Sequence, residues 1–242
     1  MVQTVSKDLA MKNVENPSQP CLIVMAKYPQ EGKVKTRLSP FLSAAQSAKL
    51  AMCFLKDTLR KSEKLNIKLI VACSPPERFS LFSSLVDKTM ILIEQTGDNL
   101  GERINNAFKF AFDSNFSPVA MIGTDSPTFP TTEIEKALKL LNETECVFGV
   151  TQDGGFYLVG LNQFLPDIFE NVEWSSSRTL ADCIQNARLI LGNEPKFVGD
   201  WFDVDEPSDL VKLFKEFLTN KEFFQIAPRT AEWLSNNNNL FR

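Results

Sequence analysis

Histidine is absent from all 242 residues of this chain. That removes the commonest general base, proton shuttle and metal ligand together. Ser-His-Asp and Cys-His sites and His-containing zinc sites are excluded with it. Chemistry is left to carboxylates, Lys and Arg, and the backbone. Cysteine is sparse: Cys21, Cys53, Cys73, Cys146 and Cys183 stand at unrelated spacings, with no Cys-x-x-Cys. Most sit in apolar runs such as Leu69-Ile70-Val71-Ala72-Cys73, which reads as buried, reduced thiols in a cytoplasmic protein. No run has the length of a transmembrane helix, and Met1 to Pro20 lacks the apolar core of a signal peptide, so no membrane role is expected. Excess positive charge is missing too. With 26 Lys and Arg against 30 Asp and Glu the net charge is −4, so nucleic acid is not an expected partner and any anion site must be local.

What is present suits one α/β domain. Hydrophobic residues make up 43% of the chain, enough for one substantial core. Apolar runs of strand length alternate with helix-period segments. Strands are expected over 21–26, 67–73, 90–93, 118–122, 146–150, 156–161 and 196–198. Helices are expected over 43–61, 77–85, 100–112, 132–142, 177–189 and 206–218. Alternation over roughly the first 140 residues predicts a mainly parallel sheet with helices on both faces, and the later strands make it mixed. Residues 1–20 read as a flexible leader and 21–220 as the domain. The tail, 221–242, packs on it or frays, ending in Asn236-Asn237-Asn238-Asn239.

Four segments carry candidate chemistry. The first, Ala26 to Leu38, follows the first strand and holds Lys27, Lys33, Lys35 and Arg37 against the single acid Glu31. It lies where ligands bind in parallel sheets, beyond a strand's carboxyl end. Gly32 permits close backbone approach and Arg37 can fork onto a phosphate. A solvated basic loop is the alternative, and the Walker A spacing is absent. The second is Gly123-Thr124-Asp125-Ser126-Pro127, where a strand delivers one carboxylate suited to Mg²⁺ or Mn²⁺, or to an Asx turn. The third, Asp153-Gly154-Gly155, is a turn whose glycines let a substrate lie against the backbone with Asp153 facing it; a plain hairpin is the alternative. The fourth, Asp200-Trp201-Phe202-Asp203-Val204-Asp205-Glu206-Pro207, precedes a helix. Asp205 or Glu206 caps that helix, or Asp205 joins Asp203 in a metal or base role.

Taken in order, these segments resemble the bacterial DUF2064-type transferases, a GT-A-like family labelled arsenosugar-biosynthesis or radical-SAM-associated glycosyltransferases. The matching pieces are Ala26-Lys-x-Pro-x-x-Gly-x-Val-Lys-Thr-Arg-Leu38, Gly97-x-x-Leu-Gly-x-Arg103, Gly123-Thr-Asp-Ser-Pro127, Asp153-Gly-Gly-Phe-Tyr-Leu-Val-Gly-Leu161, Glu173-Trp-Ser175 and Asp203-Val-Asp-Glu-Pro207. The resemblance implies a three-layer α/β/α GT-A (nucleotide-diphospho-sugar transferase) fold with a mainly parallel, mixed sheet. It implies nucleotide and phosphate binding by Ala26, Lys27, Gly32, Lys35, Arg37, Gly101 and Arg103. It implies a metal, Mg²⁺ or Mn²⁺, at Asp125 with Asp205, and an acceptor near Gly154, Gly155 and Trp174. The chain departs from the wider glycosyltransferase pattern, since Pro127 stands where an Asp-x-Asp would have its second acid.

Two chemistries follow. The main expectation is glycosyl transfer from a nucleotide sugar, with Asp153 or Asp203 as base and a nucleoside diphosphate released. The alternative rests on a likeness of Lys35-Thr36-Arg37-Leu38 and Asp203-Val-Asp-Glu-Pro207 to phospholactate and molybdopterin guanylyltransferases. In it a nucleoside triphosphate is the donor, a phosphorylated small molecule the acceptor, and pyrophosphate the leaving group. Fold does not choose between them. The chain is expected to act as a monomer or homodimer, its 20 Phe residues offering a possible dimer face.

Overall fold

The computed structural model describes residues 18–241. The expected leader lies outside the described residues up to position 17, and Gln19 and Pro20 already belong to the first strand. In chain order the elements are β1 (Gln19–Lys27), α1 (Ala44–Ser62), β2 (Lys68–Ser74), α2 (Phe79–Phe82), β3 (Ile91–Glu94), α3 (Leu100–Asp113), β4 (Phe116–Ile122), α4 (Thr132–Leu140), β5 (Cys146–Val150), β6 (Phe156–Leu161), α5 (Thr179–Leu191), β7 (Lys196–Phe197), α6 (Pro207–Thr219), α7 (Phe223–Ile226) and α8 (Pro228–Asn236). The seven strands form one sheet in the order β3-β2-β1-β4-β6-β5-β7. β1 pairs in parallel with both β2 and β4, whereas β6 runs antiparallel between β4 and β5. The sheet is therefore mixed, with its irregular half built after residue 140, as the strand pattern predicts.

Period-two alternation sorts the strand residues between two cores. Along β1, Leu22, Val24 and Ala26 face the layer made by α1, α2 and α4. Cys21 and Ile23 face the layer made by α3 and α5. All five are fully buried, and burying each Leu, Ile or Val contributes roughly 2 kcal/mol. Four of the five thiols are buried and Cys53 is half-buried; Cys21 and Cys73 are pushed up to about 12 by desolvation, and no cysteine is disulfide-bonded. No helix among the described residues is long and apolar enough to cross a membrane.

A third core lies outside α1. Leu50 and Phe54 on its outer face meet Leu210 and Leu213 of α6, Phe223 of α7, and Ala231 and Leu234 of α8. α1 is thus buried on two sides, against the sheet and against the C-terminal helices. It starts with a capping box, in which Ser43 Oγ accepts from Gln46 N at 3.2 Å and Gln46 Oε1 accepts from Ser43 N at 2.9 Å. The C-terminal segment is tied to α1 by one buried acid. Asp57 accepts from Arg229 N at 3.1 Å, and from Thr230 N and Thr230 Oγ1 at 2.8 Å each. It satisfies donors that open the first turn of α8 from a helix 170 residues earlier in the chain. Phe241 stacks on Phe214, with ring centroids 4.0 Å apart.

Asp57→Ala leaves these donors without an acceptor inside the protein. The expected loss is about 2 kcal/mol in denaturant unfolding, with the α8 amides exchanging first. Burial raises the Asp57 pKa against the pull of these hydrogen bonds. A raised carboxyl pKa means that the folded state holds the proton longer, so this group's contribution falls as pH rises through the shifted value. Asp57→Asn should therefore cost less than Asp57→Ala and gain on wild type as pH rises above the ordinary carboxylate range, read by denaturant unfolding.

Candidate active site

The chain runs from β1 outward to β2 and β3, then returns to β4 on β1's other side. The connections on either side of β1 therefore diverge, which opens a crevice at the carboxyl ends of β1 and β4. The basic loop leaves the end of β1, and Gly123–Pro127 leaves the end of β4. Between them is a cavity of about 720 Å³. Lys27, Lys35, Arg37, Arg103, Asp125, Asp153, Gly155, Trp174, Asp203 and Asp205 line it, so most of the expected site residues share one space.

An ion cluster marks its floor. Lys35 adopts left-handed backbone (φ 49°, ψ 39°), and its side chain is 5% exposed. Its ammonium contacts Asp125 Oδ1 and lies 2.8 Å from Asp205 Oδ1. Burial works against the charge, but the two carboxylates outweigh it and hold the Lys35 pKa above the ordinary lysine value. The acids come together through backbone pairing, as Val204 N donates to Asp125 O at 3.0 Å. That bond brings Asp203 and Asp205, which flank Val204, beside the Asp125 loop, and both line the cavity. Asp203 accepts from the Ser126 hydroxyl and is pushed up to about 7, by burial first and by the Asp125 charge second. Glu206, not Asp205, is the N-cap residue of α6, and Asp209 accepts from Glu206 N at 2.8 Å. Asp205 is thereby left to the cavity.

The Asp125 loop is fixed from beneath by a residue the sequence did not single out. Lys61, near the end of α1, is 3% exposed. Its ammonium donates to the carbonyls of Ser126 (3.3 Å), Pro127 (3.1 Å) and Phe129 (3.0 Å), and lies 3.5 Å from the Phe129 ring centroid. Burial drives its pKa well below the ordinary value, against the opposing charge of Asp57. The segment that leads to Asp203 is held at Gly199 by Glu133, which accepts from Gly199 N at 2.7 Å, and by Tyr157, whose hydroxyl donates to Gly199 O at 2.8 Å. Lys61 was hidden because a lysine in an apolar helix pattern reads as a solvated position. Only its partners, 65 to 68 residues away, reveal it.

Several expected contacts take another form. Ala26, Gly32, Gly101 and Gly154 do not line the cavity. Ala26 is a core residue whose carbonyl accepts from Gln95 Nε2 at 3.3 Å. Gly32 has φ +70° with open space around its α-carbon, so it serves the turn. A β-carbon on Gly101 would stand 2.7 Å from Phe169 O and 2.9 Å from Trp174 Nε1, so Gly101 seats the tryptophan. A β-carbon on Gly154, at φ +89°, would stand 2.3 Å from Ser177 O. The room it leaves is filled by the chain's own backbone, not by a ligand. Asp153 Oδ1 accepts from Thr151 Oγ1 at 2.6 Å and from Gly155 N at 3.2 Å, so this carboxylate holds the turn while lining the cavity. Arg103 Nε donates to Gly97 O at 2.9 Å, fixing the loop before α3.

Among the described residues, no group of three His, Cys, Asp or Glu side chains is arranged to hold a metal ion. Asp125 and Asp205 nevertheless aim one oxygen each at a common cation position, where the Lys35 ammonium lies. Two carboxylates suit Mg²⁺, which takes its remaining ligands from water and substrate phosphates. The donor set fits such an ion.

Lys61→Met, which strands three buried carbonyls, is expected to lower stability by about 3 kcal/mol in denaturant unfolding. Gly154→Ala and Gly32→Ala both force an L-residue into left-handed backbone, at about 1 kcal/mol each. Gly154→Ala also meets backbone and should cost at least twice as much as Gly32→Ala by the same measurement. Equal losses would refute the packing role.

Known proteins place this architecture. A crystal structure from Desulfovibrio desulfuricans G20, of a protein provisionally named a nucleotide-diphospho-sugar transferase, is 30% identical and covers 93% of this chain and 97% of its own, with a TM-score of 0.86. The 2-phospho-L-lactate guanylyltransferase of Methanocaldococcus vulcanius is 28% identical over 202 residues, 80% of this chain and 84% of that protein. The enzyme of the same name from Methanocaldococcus infernus is 28% identical over 130 residues; the match spans 54% of this chain and little more than half, 56%, of that relative. A 4-diphosphocytidyl-2C-methyl-D-erythritol synthase from Anaerococcus prevotii, 11% identical over 81% of this chain and 94% of its own, shares the fold at a TM-score of 0.54. So does a Mycobacterium tuberculosis H37Rv protein in complex with manganese, 15% identical over 81% and 97%, at 0.51. The family described as "Uncharacterized protein conserved in bacteria (DUF2064)" matches residues 58–176. With a relative 30% identical along almost its whole length and this family match inside it, the chain belongs to the DUF2064 family and has the nucleotide-diphospho-sugar transferase fold.

Proposed function

We propose that this protein is a nucleotidyltransferase that moves a nucleoside monophosphate from a nucleoside triphosphate to a small phosphorylated acceptor. The observation that carries this reading is the charge of the crevice: Lys27, Lys33, Lys35, Arg37 and Arg103 line one cavity of a chain that is acidic overall and has no histidine. A triphosphate brings about four negative charges against about two for the diphosphate of a nucleotide sugar, and several cations on one loop suit the larger charge. An acceptor phosphate arrives already ionised at neutral pH, so no side chain need remove a proton. Transfer to a sugar or alcohol hydroxyl would ask for a base. Asp153 is committed to its turn, and Asp203 to Ser126. The guanylyltransferase relatives support the same choice over glycosyl transfer, the main expectation from sequence.

In this reading the triphosphate lies along the loop from Lys27 to Arg37. An acceptor phosphate oxygen attacks the α-phosphorus in line. The bond from the α-phosphorus to the oxygen bridging to the β-phosphorus breaks, and pyrophosphate leaves with the electron pair. Arg37 and Lys33 offset charge on the departing pyrophosphate. Trp174 and the segment Ser175–Ser177 line the same cavity, and in this reading the acceptor binds against them. Asp125 and Asp205 would hold Mg²⁺ or Mn²⁺, which when bound supplies further neutralisation of the phosphates.

The test is to incubate the protein with Mg²⁺ or Mn²⁺ and panels of nucleoside triphosphates, nucleotide sugars and phosphorylated acceptors, and to identify what is released. Pyrophosphate from a triphosphate is expected, with GTP the first candidate. Nucleoside diphosphate released from a nucleotide sugar, without pyrophosphate in the other arm, would restore the glycosyl reading. Arg37→Ala should raise the KM for triphosphate about tenfold, and Asp125→Ala should lower kcat about a hundredfold or more.

A further inference from the structure

The ammonium of Lys35 occupies the point on which Asp125 Oδ1 and Asp205 Oδ1 converge. It reaches that point from the basic loop, whereas the acids come from the loop after β4 and the segment before α6. The lysine is 5% exposed, whereas the two acid side chains are 48% and 40% exposed. The acids are therefore open to solvent ions, and the position between them is closed by the chain's own cation. We infer that Lys35 is a built-in stand-in for the divalent ion: it holds the Asp125–Asp205 pair together in the empty enzyme and must withdraw before a metal can take both oxygens.

The reasons are distance and charge. The Lys35 ammonium lies 2.8 Å from Asp205 Oδ1. Mg²⁺ needs its oxygens at about 2.0–2.1 Å. An ion drawing on both carboxylates would stand almost where the ammonium stands, and two cations do not share such a point. Lysine suits the exchange, because its charge is compact and its four-carbon stem is flexible, where a planar guanidinium would hold the pair in a fixed fork. Its backbone need not move. Lys33 and Arg37, its neighbours on the loop, line the same cavity, so a withdrawn ammonium comes to lie among the cations that face phosphate. Metal entry and phosphate capture are thereby coupled through one side chain. Without metal the ammonium offsets part of the charge of its two acids, and a phosphate offers the displaced ammonium a new partner.

This inference rests on the reading of Asp125 and Asp205 as metal ligands, and the experiment separates the two. Mn²⁺ alone is titrated into the full chain and bound metal is followed by the electron paramagnetic resonance signal of free Mn²⁺. Lys35→Met is expected to bind Mn²⁺ at least tenfold more tightly than wild type. Lys33→Met removes the same charge from the same cavity and is expected to change affinity less than threefold. Asp125→Asn in the Lys35→Met background should abolish the gain. Lys35→Gln provides a second variant should the methionine protein not fold. In wild type, saturating Mn²⁺ should raise the acetylation rate of Lys35 relative to Lys33, read by mass spectrometry. Equal affinities for wild type and Lys35→Met, both lost on Asp125→Asn, would overturn the stand-in role and leave the metal site in place. Mn²⁺ binding indifferent to Asp125→Asn would overturn the metal assignment and this inference together.

Discussion

One ion cluster organises this protein's crevice: the ammonium of Lys35 between the carboxylates of Asp125 and Asp205. It ties the loop after β1 to the loop after β4 and the segment before α6, which already pair with each other through Val204 N and Asp125 O. Each alone is a polar loop of the kind that stays at the surface. Held together by a buried cation, they become the floor of a cavity. The opposition of signs matters as much as the contact. Two carboxylates face one ammonium, so one negative charge is left over, and beside them burial and then the Asp125 charge push the Asp203 pKa up to about 7. A site in that condition favours further positive charge, and the basic loop beside it favours negative charge. The two needs are complementary, which is what a metal–nucleotide complex offers.

The scaffold keeps this cluster in register by rigid means. β1 and β4 are central strands, buried on both faces, and the site loops leave from their ends. Lys61 fixes the Asp125 loop by its carbonyls, and Glu133 and Tyr157 fix the neighbouring segment at Gly199. These supports are buried polar groups with their partners in place, and such groups specify geometry more sharply than apolar packing does. The α6–α8 layer plays a related part at longer range. It clamps α1, and α1 carries both Asp57, which caps the C-terminal helix, and Lys61, which supports the site.

The absence of histidine bears on the chemistry as well as on the architecture. Joining two phosphates asks for positioning and charge neutralisation, and a protein doing it can dispense with a proton shuttle. Glycosyl transfer to a hydroxyl asks for a base, and the carboxylates expected to serve are engaged elsewhere: Asp153 with Thr151 and Gly155, Asp203 with Ser126. The guanylyltransferase relatives point the same way.

What the sequence by itself determined is local in origin. The strand runs, the capped helices and the mixed sheet follow from periodicity and turn residues, because those signals act within a few positions of one another. The basic loop and the Gly123–Pro127 segment were legible for the same reason, as each is continuous and follows a strand. Tertiary structure alone decided the pairings. Lys35 meets Asp205 across 170 residues, and the α6 N-cap falls to Glu206, which leaves Asp205 to the site. Gly154 makes room for Ser177 where a substrate was expected, because the turn and the loop before α5 pack on each other. Lys61 resembled any helix-surface lysine until the loop after β4 was laid across it. A residue's charge is written in the sequence, but its partner is chosen by the fold, and at this site the partner decides the role.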